Sequence, residues 1–91
     1  MGRFSNKVGF VTGGGTGIGF ACATAIIEGG GSVVVAGRRE APLQAAVELL
    51  GARASFVQCD VANDADVERA LDAVRERHGA LHLAVNAAGT G

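Results

Sequence analysis

With 91 residues the chain has room for one small domain. A composition of 48% hydrophobic and 19% charged residues, at a net charge of −1, excludes a disordered chain and offers no basic footprint for nucleic acid. Four Phe, with no Tyr and no Trp, leave no stacking platform for bases.

Short apolar runs alternate with amphipathic ones along the chain. Val8–Thr12 reads as a first buried strand. Gly17–Glu28 reads as a helix, with Ile18, Ala21, Cys22, Ala25 and Ile26 as its expected apolar stripe, ended by Gly29, Gly30 and Gly31. Ser32–Ala36 is β-branched and apolar on both faces, as a buried parallel strand requires. Glu40–Leu50 is a second helix with Pro42 in its first turn and Leu43, Ala46, Val47 and Leu50 inward. Ser55–Gln58 is a short third strand. Asn63 is placed to cap a third helix, with Asp64 and Asp66 favourable in its first turn. Val67, Ala70, Leu71 and Val74 form that helix's stripe, while Glu68, Arg69, Asp72, Arg75 and Glu76 face water. Leu81–Val85 is the fourth strand.

The order β-α-β-α-β-α-β, with short connections, predicts an α/β fold with a Rossmann-like, doubly wound parallel sheet covered by helices. Right-handed crossovers predict the strand order 3-2-1-4, with ligands bound beyond the carboxyl ends of the strands at the switch point. Val8–Val11 is too short for a secretory signal, and no run is long enough to cross a membrane. Cys22 and Cys59 stand far apart without a CxxC pair, and are expected as reduced, buried thiols of a cytoplasmic protein. His78 and His82 are four apart, but Gly79 between them breaks any helix, so a metal pair is not expected.

Residues 11 to 20, VTGGGTGIGF, hold five glycines at the carboxyl end of the first strand. Glycine there allows a tight strand-to-helix turn and lets a diphosphate approach the N–H groups of a helix N-terminus. The literal GxGxxG spacing fails because position 18 is Ile, and GxxxxGK[ST] fails because Phe20 follows Gly19. TGxxxGxG fits, on Thr12, Gly13, Gly17 and Gly19.

TGGGTGIG resembles the cofactor motif of the short-chain dehydrogenases/reductases. VVVAGRR at the end of strand 2, Cys59-Asp60-Val61 after strand 3, and NAAG, Asn86 to Gly89, after strand 4 agree with that family in order and spacing. The resemblance spans the chain, as the amino-terminal, cofactor-binding part of such a domain over residues 1–91, ending after strand 4. It implies that Gly13, Gly15, Thr16, Gly17, Ile18 and Gly19 line the ribose and diphosphate. It implies that Asp60 and Val61 flank the adenine, Asp60 accepting from the exocyclic amine, and that Asn86, Ala87, Ala88 and Gly89 lie beside the cofactor. Each feature has a structural alternative: a flexible turn, a turn-forming carboxylate at Asp60, a structural amide at Asn86. Where NAD binders of the family carry a carboxylate, Gly37 stands here, followed by Arg38 and Arg39. Guanidinium groups suit a 2′-phosphate, so NADP(H) is expected over NAD(H), the alternative being that both arginines are solvated loop charges.

The chain departs from the family pattern at Thr16, where many NADP-preferring relatives are basic, at Ala87, and at His82, where an Asp is usual. The last puts a local hydrogen bond in question. The family's chemistry uses a Tyr, a Lys four residues on and a Ser. This chain has no Tyr, and its only Lys is Lys7. The resemblance therefore implies the grip of an oxidoreductase acting on carbonyl or alcohol carbons, inactive alone, from a parent enzyme expected to be a homo-oligomer. A non-catalytic dinucleotide-binding module and a truncated inactive product are the alternatives. An open fourth strand and a large bare apolar patch on one sheet face are expected.

Overall fold

The computed structural model describes residues 4–13 and 17–86, the last by its backbone alone. Seven elements alternate: β1 (Val8–Thr12), α1 (Gly17–Glu28), β2 (Ser32–Gly37), α2 (Glu40–Leu50), β3 (Ala54–Gln58), α3 (Asp64–His78) and β4 (Leu83–Asn86). All strand pairs are parallel, and the order is β3-β2-β1-β4. The sequence reading of a doubly wound sheet is thus the observed architecture. Strands 2 and 3 are each one residue longer than the sequence pattern predicts.

Alternation along the strands divides the core into two layers. Val11, Val33 and Val35 pack with Ala23, Ile26 and Leu43 under α1 and α2. Val8, Phe10, Val34 and Ala36 pack with Ala70 and Val74 of α3 on the other face. Every residue of the central β1 is buried. The α2 and α3 stripes fall where the periodicity puts them.

The α1 stripe does not. Its buried residues are Gly19, Ala23 and Ile26, whereas Ile18 is 62% exposed and Ala21 and Ala25 face outward. The helix is apolar almost all round, so periodicity alone selects no face. Close contact selects it: a Cβ on Gly9 of β1 would lie 2.7 Å from Ile26 Cδ1. Cys22, expected buried, is half-buried as a result, while Cys59 is buried; both are free thiols.

The three glycines after α1 do more than end it. Gly30 N–H donates to the Ile27 carbonyl and Gly31 N–H to that of Ile26, a Schellman arrangement with Gly30 at φ 93°. The turn at Phe4–Lys7 then packs onto this end. Phe4 N–H donates to the Gly29 carbonyl at 2.8 Å, and a Cβ on Gly29 would lie 2.5 Å from the Phe4 ring.

β4 starts two residues later than the pattern predicts, because His82 takes over the start of the ladder. Its Nδ1 accepts from Val8 N–H at 2.9 Å, and its own N–H donates to the Val8 carbonyl at 2.9 Å. Register pairing then runs from Gly9 opposite Leu83 to Thr12 opposite Asn86. The hydrogen bond that His82 put in question is therefore made, by imidazole. β3 and β4 are the edges of the described sheet. Among the described residues the exposed large hydrophobics are Ile18 and Leu49, neither on the α3 face of the sheet. Phe10 is covered, and beside it β4 presents the small Ala84 along a groove of about 230 Å³.

Candidate functional site

Three parallel strands bring their carboxyl ends together with the first turn of α2. Gly13 follows β1, Arg38 and Arg39 follow β2, and Asp60 and Val61 follow β3. They line one cleft of about 300 Å³, completed by Ala36, Gly37, Pro42, Leu43 and Ala62. The walls are mainly apolar, with cations and one carboxylate along them. The switch-point rule puts a ligand at this end of such a sheet.

The β1 turn is built from backbone. Gly13 has φ 72° and donates its N–H to the Ala36 carbonyl at 2.8 Å. That N–H is thus engaged within the protein, and what Gly13 brings to the cleft is its conformation and the absence of a side chain. Gly17 opens α1 at φ 37°, and among the described residues nothing lies where a Cβ would stand, so backbone conformation calls for glycine. The first turn of α1 presents N–H groups that the helix itself does not satisfy. Ile18 is exposed there and Gly19 is buried against the sheet. Thr12 Oγ1 donates to the Val85 carbonyl at 3.3 Å, which ties β1 to β4 just below the turn.

The β2 end carries the cations. Arg38 and Arg39 are exposed, and neither guanidinium has an ion pair or hydrogen-bond partner among the described residues. Their backbone is held: Gln58 Nε2 donates to the Arg38 carbonyl at 3.0 Å, and Arg39 is the extended N-cap of α2.

The β3 end is built from side chains. Asp60 Oδ1 accepts from Ala62 N–H at 3.0 Å, so the turn-forming role weighed for this carboxylate is real. Its other oxygen has no partner among the described residues. Asp66 Oδ2 accepts from Asp60 N–H at 2.6 Å, and Asp66 Oδ1 receives Arg69 Nε at 2.9 Å. The Asp60 N–H, then the Arg69 guanidinium, hold the Asp66 carboxyl below the usual carboxylate range. Burial, then the nearby carboxylates Asp66 and Asp60, push the Cys59 thiol up, with Arg69 opposing, so it stays a neutral thiol.

The structure therefore brings Gly13, Arg38, Arg39, Asp60 and Val61 to one cleft. Gly17, Ile18 and Gly19 sit on the first turn of α1, and Asn86 ends β4 opposite Thr12 in the ladder. Gly15, Thr16, Ala87, Ala88 and Gly89 lie outside the described residues. Sequence reasoning gave Pro42 and Leu43 only a helical role and Asp66 only a dipole role. The signal for Asp66 was its place three residues after the N-cap Asn63, where a side chain can reach back past the helix start.

Chemically the cleft offers apolar walls for a flat group, an acceptor oxygen and two cations for an anion. Together with the 3-2-1-4 sheet this defines an α/β fold of the dinucleotide-binding type. Comparison with known proteins makes it specific. The sequence profile of the short chain dehydrogenases matches residues 7–91, and the chain belongs to that family, whose members bind NAD(P). It is 42% identical over 89 residues to the oxidoreductase asL5 of Sarocladium schorii, covering 98% of this chain and 36% of that protein. It is 41% identical over 92 residues to a 3beta-hydroxysteroid dehydrogenase of Mediterraneibacter gnavus, covering 98% of this chain and 33% of that protein. A short-chain type dehydrogenase/reductase from Mycobacterium ulcerans superposes with a TM-score of 0.86 at 36% identity, over 92% of this chain and 33% of that one. The chain thus spans about a third of the length of these relatives. Among the described residues no helix is long and apolar enough to cross a membrane.

Proposed function

We propose that this chain forms the adenosine and diphosphate grip for NADP(H) in an oxidoreductase that moves hydride between the nicotinamide and a carbonyl or alcohol carbon. The observation that carries the reading is the cleft at the ends of β1, β2 and β3, where two guanidinium groups, unpaired among the described residues, and one carboxylate line mainly apolar walls.

In this reading the adenine lies between Val61 and the walls at Pro42 and Leu43, with its exocyclic amine toward Asp60. The diphosphate meets the first turn of α1 across Gly13, Gly15, Thr16, Gly17, Ile18 and Gly19, where unsatisfied N–H groups and the helix dipole favour an anion. Asn86, Ala87, Ala88 and Gly89 border the rest of the cofactor. Arg38, with Arg39 beside it, takes the 2′-phosphate. Gly37 supports this choice: a carboxylate there would repel the phosphate, and glycine removes it. Hydride transfer itself rests on groups outside these 91 residues, since the chain has no Tyr and only Lys7 as lysine. The whole enzyme then works as a cytoplasmic homo-oligomer.

Titration of the protein with NADPH and NADH, before and after Arg38→Asp, tests the reading. NADPH is expected to bind at least about tenfold more tightly than NADH, the worth of one charge-assisted contact, and Arg38→Asp to reverse the order. Equal affinities that the substitution leaves unchanged would overturn the charge argument. No binding of either cofactor would overturn the grip itself.

A further inference from the structure

We propose that Asp66, braced by Arg69, is a positioning residue that sets adenine recognition by holding Asp60 in place. The inference rests on the reading of Asp60 as the acceptor for the adenine amine.

The geometry is that of a capping arrangement turned outward. In a capping box the residue three after the N-cap reaches back to the N-cap's own N–H. Here Asn63 Oδ1 accepts from Asp66 N–H at 3.1 Å, the first half of the box. The second half is absent, because Asn63 N–H already donates to the Asp60 carbonyl at 3.0 Å. Asp66 therefore reaches three residues further and takes the Asp60 N–H at 2.6 Å. Asp60 is gripped at its N–H by Asp66, at its carbonyl by Asn63 and at Oδ1 by Ala62, and among the described residues nothing takes Oδ2, which is left for a ligand.

Arg69 completes the brace. Its Nη2 lies 2.7 Å from Asp66 Oδ1 and donates to the Gln58 carbonyl at 3.3 Å. Gln58 in turn donates to the Arg38 carbonyl at 3.0 Å. One chain of contacts thus runs from the Asp60 backbone at the β3 end to the Arg38 backbone at the β2 end. Asp66 touches no ligand in this scheme and acts through Asp60. Its side chain is also dispensable for capping α3, because the Asn63 bond uses Asp66's backbone N–H.

The test uses NADPH and its hypoxanthine analogue, in which a carbonyl replaces the exocyclic amine. The unaltered protein is expected to prefer NADPH by about tenfold or more, the scale of one hydrogen bond to a charged group. Asp66→Ala is expected to weaken NADPH by about tenfold and to leave the analogue within about twofold, so that the preference collapses. Asp66→Asn keeps an oxygen for the Asp60 N–H and is expected to retain most of the preference, with circular dichroism confirming the fold. In the Asp60→Ala background, Asp66→Ala should cost nothing further, since the two act as one unit. Equal weakening of both cofactors by Asp66→Ala, or additive effects in the double variant, would overturn the positioning role. Absence of any preference in the unaltered protein would instead overturn the Asp60 reading, and the proposal with it.

Discussion

The turns that follow β1 and β3 meet at one end of the sheet, yet they are made differently. At the first, Gly13 with φ 72° and Gly17 with φ 37° act through what they lack, and the Gly13 N–H is engaged by the Ala36 carbonyl. At the second, Asp60, Asn63, Asp66 and Arg69 hold one another through side chains. A turn made of backbone at positive φ is strained by any side chain, whereas a turn made of side chains can be loosened by degrees. The two should therefore fail differently when altered.

The largest effect is expected from Gly13→Val. A β-branched residue at positive φ adds strain of about 1–3 kcal/mol, and its side chain enters the cleft wall. Calorimetry should show NADPH binding weakened by at least about tenfold, with a lowered melting temperature. Near-native binding would mean that the turn is not set by its backbone. On the other turn, Asn63→Ala should cost about 1 kcal/mol of unfolding free energy in urea, as loss of an N-cap does. It should also reduce the preference for the adenine cofactor over the hypoxanthine one, because Asp66 N–H loses its side-chain acceptor and the first turn of α3 that carries the Asp66 carboxylate is less firmly placed.

A control lies at the opposite end of the sheet. His82→Ala leaves the buried Val8 N–H without its acceptor and should cost about 1 kcal/mol in stability. The ratio of NADPH to NADH affinity should not move, and His82→Asp, which keeps an acceptor, should lose less. A changed ratio would mean that the cleft depends on the sheet as a whole and not on its own two turns.

The smallest effect concerns pH. The Asp60 N–H and the Arg69 guanidinium lower the Asp66 carboxyl, so its contribution is complete above the ordinary carboxylate range and vanishes as pH falls through the lowered value. Between about pH 8 and about pH 5 this group should leave stability unchanged, and Asp66→Asn should soften only the acid limb of the stability profile. Loss of stability from Asp66 on raising the pH would contradict the assignment.

These differences also explain what could be read in advance. Alternating runs such as VVVA and the stripe Leu43, Ala46, Val47, Leu50 carry their own period, so strands, helices and strand order were legible. Gly13 and Gly17 were legible because positive φ restricts the residue type. α1 was misjudged because a helix apolar all round has no period that selects a face, and contact between Gly9 and Ile26 decides it. The late start of β4 was hidden because it depends on an imidazole accepting a bond from a strand 74 residues away. The Asp66 brace was half legible: Asn63 and Asp66 mark a helix start, but the partner of Asp66 is fixed by where Asn63 sends its own N–H.

The most direct test of the grip is an amide chemical-shift titration of the protein with adenosine 2′,5′-bisphosphate. Saturable shifts are expected at Gly13, Gly37 to Arg39 and Asp60 to Ala62, with Leu71 and Ala84 along the β4 groove unmoved. Shifts centred on that groove, or none at the ends of β2 and β3, would contradict it.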